Sequence, residues 1–428
     1  MKDNKIQIAL LGLGTVGLGV YKVLEKQKEE MLPKLGVELE IRKILVRDLK
    51  KAASKGVDAG LLTNHWEDVI RDDAIDIVVE VIGGMEPART YILEALQAGK
   101  NVVTANKDLI AVDGKVLMDA AKQSGKDFFF EASVAGGIPI IRPLKQSLEA
   151  NHISEVVGII NGTTNFILTK MTEENMEFSE ALALATHLGY AEADPTADID
   201  GLDAARKVAI LASIAFNSRV TFEDVYTEGI TKITSRDIRY AREMGCAVKL
   251  LGVARNTPEG IEVSVHPMLI DSDHPLASVN DSFNAVFVRG DAVGDTMFYG
   301  RGAGELPTAS AVVGDIFDVA KNIVFNCTGH VNCTCYKNLR IKKREEIVSR
   351  YFMRLQVEDR PGVLAAVTSV FGDNNVSIEQ FIQKRKKGTL AEIVVITEEV
   401  IERNFNDSLE HLKNMPMIKE ISAVIRVY

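Results

Sequence analysis

The first residues suited to chemistry form a glycine-rich turn. Gly12-Leu13-Gly14-Thr15-Val16-Gly17 fits the pattern G-x-G-x-x-G, between an apolar run at 5–11 and a stretch of helical spacing at 16–32 that Pro33 is predicted to end. Glycine lets the main chain turn sharply and approach a pyrophosphate, and a helix N-terminus offers unpaired N–H groups. In this strand-turn-helix context, the motif predicts dinucleotide binding.

Residues at the end of the second predicted strand influence whether NAD or NADP binds. An acidic residue there would hold a ribose hydroxyl of NAD, and an arginine would meet the extra phosphate of NADP. The sequence offers Arg47 and Asp48 together, followed by Lys50 and Lys51. We favour NADP, with NAD as the alternative; solvated loop charges are the simplest other interpretation.

Two lysines stand where they could serve a reaction. Lys107 follows a short strand, 101–104, and the carboxyl ends of parallel strands are where open sheets bind ligands, so it could face a nicotinamide. Asp203 and Lys207 are four residues apart on one face of a predicted helix, 203–216. An exposed lysine and an exposed ion pair are the alternatives, but the strongly apolar helix indicates that the pair borders a cavity.

An acidic segment precedes that helix, and its spacing does not match a calcium-binding loop. It contains Glu192, Asp194, Asp198 and Asp200.

Four soft metal ligands lie close together further along, spaced C-x2-H-x2-C-x-C: Cys327, His330, Cys333 and Cys335. They could close a tetrahedral zinc site. Zinc sites usually bring their ligands as two separated pairs, however, so a linker that carries thiols is the alternative.

The elements that would position these residues fall into three groups. Strands alternating with helices up to residue 137 predict a doubly wound parallel sheet. Residues 138–307 predict an α+β domain, and a helix at 308–322 could pack back on the first sheet. A linker, 323–349, then leads to a βαββαβ order over 350–428, with a hairpin through Lys386-Lys387-Gly388, which is typical of a ferredoxin-like fold.

Composition excludes several classes of protein. The 428 residues carry 50 Lys and Arg against 60 Asp and Glu, a formal charge of -10, so a nucleic acid or an anionic membrane would be repelled. No apolar run reaches the roughly 18 residues that span a bilayer. Four cysteines in so long a chain cannot form a disulfide scaffold and indicate a reducing compartment. We expect a cytoplasmic protein with neither nucleic-acid nor membrane partners.

Longer segments carry a resemblance to a known family. VIGGMEPA, VVTANKDLIA, FEASVAGGIPIIRPLKQSLEA, NGTTNFILTKM, LGYAEADPTADIDGLDAARKVAILASIAF and RGAGELPTASAVVGDI, in that order, resemble homoserine dehydrogenase over about residues 5–325. The C-terminal unit, with Asp359-Arg360-Pro361-Gly362-Val363-Leu364 between strand and helix, is similar to the ACT regulatory domain. The first domain would then be Rossmann-like and the second would bind substrate and dimerise.

The resemblance implies the reversible, nicotinamide-dependent reduction of aspartate 4-semialdehyde to homoserine, on the route to threonine and methionine. The family's two motif lysines fall on Lys107 and Lys207, with Lys207 assigned as proton donor and the reverse assignment open. Its substrate-binding carboxylates fall on Glu192 and Asp203. Because the family's chemistry needs no zinc, the resemblance favours a thiol-bearing linker at Cys327–Cys335.

The resemblance also implies three further ligands or partners. A structural monovalent cation, usually sodium, would be held by Glu131 and by the backbone carbonyls of Val134, Gly136 and Ile138. Threonine would bind near the Gly362 turn and 374–378 at a subunit interface and inhibit the enzyme. The assembly would be a homo-oligomer, a dimer or tetramer.

Two other functions stay open at this point. One is another amino-acid dehydrogenase, for example one that acts on aspartate itself. The other is a sensor that keeps the dinucleotide fold without hydride transfer; the presence of both lysines argues against it.

Overall fold

The computed structural model describes residues 5–330, 333–385 and 390–428. They divide into two compact units. The first comprises Met1–Val156, Ala209–Phe222 and Asn284–Asn338, and the second Val157–Val208, Glu223–Phe283 and Leu339–Tyr428. The hairpin tip predicted at Lys386-Lys387-Gly388 lies outside the described residues.

The strands are β1 (Lys5–Leu11), β2 (Glu38–Leu45), β3 (Leu62–Thr63), β4 (Ile75–Glu80), β5 (Asn101–Thr104), β6 (Phe128–Phe129), β7 (Ile153–Ile159), β8 (Tyr226–Thr227), β9 (Cys246–Thr257), β10 (Gly260–Asp271), β11 (Phe283–Gly290), β12 (Gly294–Arg301), β13 (Val348–Glu358), β14 (Ile378–Arg385), β15 (Leu390–Thr397), β16 (Val400–Ile401) and β17 (Ile418–Val427).

The α-helices are α1 (Thr15–Leu35), α2 (Leu49–Ala53), α3 (Glu67–Ile70), α4 (Ala88–Gln97), α5 (Lys107–Ser124), α6 (Gly162–Glu173), α7 (Phe178–His187), α8 (Thr196–Ile199), α9 (Leu202–Ala215), α10 (Ser235–Glu243), α11 (Glu305–Val324), α12 (Val363–Asp373) and α13 (Glu402–Lys413). Within the described ranges, no helix is long and apolar enough to cross a membrane.

A six-stranded parallel sheet organises the first unit. Its order is β3-β2-β1-β4-β5-β6, so the strand sequence reverses direction beside β1. This is the order of a doubly wound dinucleotide-binding sheet, in which ligands bind at the carboxyl ends of the strands near the reversal. The predicted Rossmann-like fold is confirmed.

Helices α1 and α11 pack against one face of this sheet. Their apolar side chains share a core with Ile8, Leu10 and Ile77. The prediction that Pro33 ends α1 is wrong: the helix runs to Leu35 and stops at Gly36, whose φ of 73° suits a left-handed cap.

The second unit contains a mixed sheet in the order β9-β10-β17-β13-β15-β14, with β8 also paired to β10. Strands β9 and β10 form a long antiparallel pair, in which Cys246 lies opposite Asp271 and Thr257 opposite Gly260. Nearly every residue of β10 is buried, so the pair crosses the interior of the unit. Sequence patterning predicted only 260–266 of this pair.

The C-terminal part of the second unit confirms the predicted ferredoxin-like order. Strands β13, β14, β15 and β17 are antiparallel neighbours, with α12 and α13 between them in sequence. Their shared core includes Tyr351, Phe371 and Phe405, all fully buried. The last strand, β17, also pairs in parallel with β10, which extends the sheet into the rest of the unit.

Candidate active site

The glycine turn lies at the mouth of a cleft in the first unit. Helix α1 begins at Thr15 with Gly14 as its N-cap, and no side chain caps it and no acidic residue lies in its first turn. Its first N–H groups are therefore free of side-chain acceptors and favour an anion. The cleft has a volume of about 850 Å³ and is lined by Gly12, Leu13, Gly14, Leu45, Val46, Arg47, Asp48, Lys51, Ala52, Lys55, Asn64, Val81, Ile82, Gly83, Glu86, Pro87 and Tyr91.

Two glycines of the turn are required by close contacts within the protein, and the third, Gly14, borders open space. Gly12 has a φ of 102°, and a Cβ there would lie 2.9 Å from the carbonyl oxygen of Val81. A Cβ on Gly17 would lie 2.1 Å from the carbonyl oxygen of Gly12, so only glycine allows the helix to approach the turn this closely. A Cβ on Gly14 would meet no atom within 4 Å, which marks the place where a bound group can approach the main chain. The cradle fits a dinucleotide pyrophosphate.

The charged residues after β2 have two different roles: the acidic one caps a helix, and the basic ones line the cleft. The Asp48 carboxylate accepts a hydrogen bond from the backbone N–H of Lys51 at 3.0 Å and so caps α2. Arg47, Lys51 and Lys55 line the cleft as cations, and the Lys55 ammonium donates to the carbonyl oxygen of Leu13. The cleft therefore presents more positive than negative charge beside the glycine turn.

Lys107 is the first residue of α5, not a loop residue beyond the strand. Asn106 caps the helix by accepting from the N–H of Leu109 at 3.2 Å, and its amide donates to the carbonyl oxygen of Gly84 at 2.7 Å. Before it, the hydroxyl of Thr104 donates to the buried Glu80 carboxylate at 2.6 Å. The Lys107 side chain is thus attached to a backbone that is fixed at the carboxyl ends of β4 and β5.

Asp203 and Lys207 form the predicted pair in the second unit. The Lys207 Nζ lies 2.7 Å from Asp203 Oδ2 and 2.8 Å from the carbonyl oxygen of Ile160. The two side chains are only 12% and 10% exposed, so the pair is not the solvated surface pair that was the alternative interpretation. An ammonium has three donors. Within the described part of the chain two of them have acceptors, which leaves one N–H for a ligand.

Asn161 belongs to this cluster, and sequence analysis gave it no role. Its amide nitrogen donates to Asp203 Oδ2 at 2.9 Å and to Asp198 Oδ1 at 2.7 Å. Its Oδ1 accepts from the N–H of Thr164 at 2.9 Å, so the same side chain caps α6. The local signal is the residue type, because asparagine is a favoured N-cap residue; its contacts with the two carboxylates depend on tertiary structure.

The other acidic residues before α9 are placed differently. Asp194 accepts from the N–H of Thr196 at 3.1 Å, which turns the chain into α8. Glu192 is exposed in the loop between α7 and α8, and the hydrogen bonds of the Asn161 cluster do not include it. Asp198 and Asp203 are therefore the two acidic residues of this region that Asn161 brings together.

The turn after β6 holds the residues expected to bind a cation. The buried Glu131 carboxylate accepts from the backbone N–H groups of Ile140, Ile141 and Arg142 at 2.6, 2.8 and 2.7 Å. Ala135 and Gly136 both have left-handed φ values, 56° and 53°.

Three residues of this turn, Val134, Gly136 and Ile138, are buried. Their carbonyl oxygens do not occur among the acceptors of the backbone hydrogen bonds in turns and loops of the described residues. Buried carbonyl groups need partners. A carboxylate has about four acceptor positions, so Glu131 retains capacity after three N–H contacts. This donor set fits a hard monovalent cation.

Burial and the neighbouring charge of Glu131 raise the pKa of Asp315 to about 7. Asp315 accepts from the N–H of Glu131 at 2.8 Å and from the Arg142 guanidinium at 2.8 Å. It therefore ties α11 to both ends of the segment that contains the turn.

The cysteine and histidine cluster does not assemble as a metal site. Within 5–330, 333–385 and 390–428, no three His, Cys, Asp or Glu side chains are grouped to hold a metal. His330 Nδ1 lies 2.6 Å from the carbonyl oxygen of Cys327, and the Cys327 thiol faces Asn322 at 3.6 Å.

Three features are typical of a nicotinamide-dependent oxidoreductase: the parallel sheet, the glycine turn before α1, and the cluster of Lys207, Asp203 and Asn161. The ferredoxin-like C-terminal part adds a regulatory domain. Comparisons identify the parts: residues 12–131 match the NAD binding domain of homoserine dehydrogenase, 139–317 match the homoserine dehydrogenase catalytic family and 351–416 match the ACT domain. The chain belongs to the homoserine dehydrogenase family.

Individual relatives agree over nearly the whole chain. Homoserine dehydrogenase of Bacillus subtilis is 45% identical over 99% of this chain and 98% of its own. The crystal structure of a homoserine dehydrogenase from Thiobacillus denitrificans matches with a TM-score of 0.94 and 43% identity, over 99% of this chain and 98% of that one. A hyperthermophilic archaeal homoserine dehydrogenase mutant in complex with NADPH matches with a TM-score of 0.64 and 31% identity, over 74% of this chain and 97% of that one.

Replacing Asn161 tests its two roles separately. In Asn161→Ala both the cap of α6 and the contacts to Asp198 and Asp203 are lost. We expect a stability loss of about 1 kcal/mol from the cap and a fall in turnover of about tenfold, because Asp203 would no longer be held in place beside Lys207. Melting temperature and turnover measure the two effects.

Asn161→Ser is the matched control. Serine also caps helices well but is too short to hold two carboxylates. We expect Asn161→Ser to regain most of the melting temperature while turnover stays low; recovery of both together would show that Asn161 acts only as a cap.

Proposed function

We propose that the protein catalyses the reversible NADP-dependent reduction of L-aspartate 4-semialdehyde to L-homoserine, on the route to threonine and methionine. The observation that carries the proposal is the Lys207 ammonium, nearly buried and held by Asp203 and the Ile160 carbonyl with one N–H left over. A cytoplasmic location and a homo-oligomer, either a dimer or a tetramer, belong to the proposal.

Lys207 would donate the proton. When bound, the nicotinamide supplies a hydride to the aldehyde carbon, and the carbonyl oxygen then gains negative charge. A preorganised N–H in a site shielded from water stabilises that charge and costs no reorganisation. Lys207 transfers its proton to this oxygen in reduction and takes it back in oxidation.

Lys107, Glu192 and Asp203 would complete the site. Lys107 would act near the nicotinamide as the partner of Lys207, with the reverse assignment of the two lysines as the alternative. The carboxylates of Glu192 and Asp203 would bind the substrate's ammonium group and offset the lysine charges. The domains would follow the predicted boundaries, 1–137, 138–307, 323–349 and 350–428.

The preference for NADP over NAD is supported by the cleft. Arg47, Lys51 and Lys55 supply cations for a 2′-phosphate, while the Asp48 carboxylate is occupied as the cap of α2. Leu13, Thr15 and Val16 of the turn would contact the cofactor with the three glycines. The related archaeal enzyme, in complex with NADPH, favours the same choice.

A monovalent cation, sodium in this proposal, would bind at Glu131 and the carbonyl oxygens of Val134, Gly136 and Ile138. It would neutralise the carboxylate and supply the partners that these buried carbonyls otherwise need.

Threonine would regulate the enzyme through the ACT domain. It would bind near Gly362, whose φ of 88° opens the turn before α12, and near 374–378. Strand β14 lies at the edge of its sheet, and an edge strand can pair with a second copy.

Replacing Lys207 tests the proton donor. We expect Lys207→Ala to lower turnover by about a hundredfold or more, the range for loss of general acid catalysis, while NADPH binding measured by fluorescence is retained. Lys170→Ala is the control, because this lysine of α6 forms an i,i+4 ion pair with Glu174, the residue that follows the helix. Turnover of Lys207→Ala within a few-fold of the parent would remove the assignment.

Replacing Arg47 tests the cofactor preference. We expect Arg47→Ser to raise the KM for NADPH by about tenfold, since a hydrogen bond to a charged group contributes about 1.5–3 kcal/mol, and to leave the KM for NADH nearly unchanged. Lys50→Ser removes an exposed cation that does not line the cleft and should change neither value. An equal rise for both cofactors would contradict the role of Arg47.

Adding threonine tests the regulation. We expect millimolar L-threonine to raise the melting temperature and lower the activity, because a ligand that binds only the folded state stabilises it. The shift in melting temperature should persist in Lys207→Ala, where a threonine bound as a homoserine mimic would lose a contact. No response of either quantity would exclude threonine as the effector.

A further inference from the structure

Two of the cysteines share a small cavity in the first unit, away from the glycine turn. Cys333 and Cys335 line it together with Lys145 and Arg219. The remaining wall is mostly apolar and comes from α5, from Phe130 and from the last turns of α9. The cavity has a volume of about 40 Å³, so both thiols border a confined space that also contains the Arg219 guanidinium and the Lys145 amine. Burial lowers the pKa of Lys145, and the charge of the nearby thiols opposes that shift.

The two thiols interact directly and unequally. The neighbouring side chain and backbone N–H of Cys335, together with the charges of Lys145 and Arg219, lower the pKa of Cys333 to about 6. The Cys335 thiol also faces the carbonyl oxygen of Ser213 at 3.5 Å, and the neighbouring side chain of Cys333 together with burial raises the pKa of Cys335. The pKa values of the two thiols are therefore shifted in opposite directions, with Cys333 the more acidic of the two.

The spacing allows the two sulfurs to bond. Residues two apart have Cα atoms at most about 7 Å apart, and a disulfide needs about 4.4–6.8 Å. A bond between Cys333 and Cys335 therefore requires only a local adjustment of their own backbone. Disulfides in reducing compartments are mostly transient and redox-sensing.

We propose that Cys333 and Cys335 form a redox-active dithiol, with Cys333 as the attacking thiolate, Cys335 as the resolving thiol, and Lys145 and Arg219 as the cations that stabilise the thiolate. The oxidant is a low-molecular-weight disulfide of the glutathione class. A low-pKa cysteine beside a resolving cysteine is the arrangement of redox sensors, and Cys333 is partly exposed to solvent.

The exchange proceeds in two steps. The Cys333 thiolate attacks one sulfur of the oxidant, which forms a mixed disulfide and releases one low-molecular-weight thiolate. Cys335 then loses its proton to solvent and attacks the Cys333 sulfur, which releases the second thiolate. In sum, two protein thiols are oxidised to one disulfide, the oxidant is reduced to two thiols, and two electrons pass between them.

Oxidation would change contacts along α9. It removes the S–H that faces the Ser213 carbonyl and the negative charge that faces Lys145. Ser213 lies in the last turn of the helix whose first two turns carry Asp203 and Lys207. Oxidation of the pair would therefore change the packing at the C-terminal end of that helix.

Thiol counting tests the proposal. After incubation of the full-length protein with excess oxidised glutathione, we expect two of the four thiols to be lost and the intact mass to fall by two hydrogens with no glutathione attached. Cys327→Ser is the matched control, because this exposed cysteine lies outside the cavity, and it should still form the disulfide. Four free thiols in the treated parent, or loss of the disulfide in Cys327→Ser, would overturn the proposal.

Two variants separate the roles of the thiols. Cys335→Ser should retain one glutathione on residue 333, since no resolving thiol is present, whereas Cys333→Ser should leave Cys335 unmodified. The opposite pattern would overturn the assignment of Cys333 as the attacking thiolate.

Alkylation tests the cations. Four groups face the Cys333 thiolate: Cys335, Lys145, Arg219 and the exposed Lys115 on α5. In a background without Cys246 and Cys327, the iodoacetamide reaction should show a midpoint near pH 6. We expect Lys145→Met to raise that midpoint, with a rate at pH 6 lower by roughly fivefold for a rise of one unit.

Lys115→Met is the matched control for alkylation, because its exposed charge is screened. It should leave the midpoint nearly unchanged. A parent midpoint near the ordinary thiol value of about 8.5, or equal effects of the two lysine variants, would contradict the proposed environment.

Discussion

The proposed site in the second unit depends on the ammonium group of Lys207, which lies on the largely apolar helix α9. Most residues of α9 are buried, and a lysine there would be unfavourable without acceptors for its protons. Asp203 supplies the charge, the carbonyl of Ile160 supplies a second acceptor, and Asn161 fixes Asp203 while it caps α6. Because each partner is itself fixed, the remaining N–H of Lys207 has a defined direction, as the proposed stabilisation of developing charge requires.

The first unit depends on a second buried group of charges. Asp315 on α11 accepts hydrogen bonds from the Glu131 N–H and from the Arg142 guanidinium, and Glu131 in turn accepts from three successive N–H groups at 140–142. The left-handed turn at 134–138 is thereby fixed at both ends. A helix 184 residues further along the chain is thus needed to shape a loop after the last strand of the sheet.

Features that depend on the local spacing and periodicity of residues could be predicted from the sequence. They are the glycine turn, the parallel strands and the ferredoxin-like order of the C-terminal elements. Strand β9 could not be predicted, since it is buried on both faces over much of its length and lacks alternation. Asn161 reaches Asp203 across 42 residues, and the segments 209–222 and 284–338 belong with the first unit; tertiary contacts of this kind leave no local signal.

The contacts that attach the ACT domain to the rest of the second unit limit which structural changes could accompany the proposed regulation. Strand β17 pairs with β10, and the buried Arg354 on β13 bonds to Asp237 of α10 and to Glu392 of β15. Removing one partner of such a buried pair costs about 3–5 kcal/mol, because the other charge is left uncompensated; this is more than the roughly 1–3 kcal/mol typical of allosteric coupling. A rearrangement that left Arg354 without either carboxylate would therefore cost more than an effector typically supplies. The proposed regulation is easiest to reconcile with changes at α12 and the edge strand β14, which these contacts do not involve.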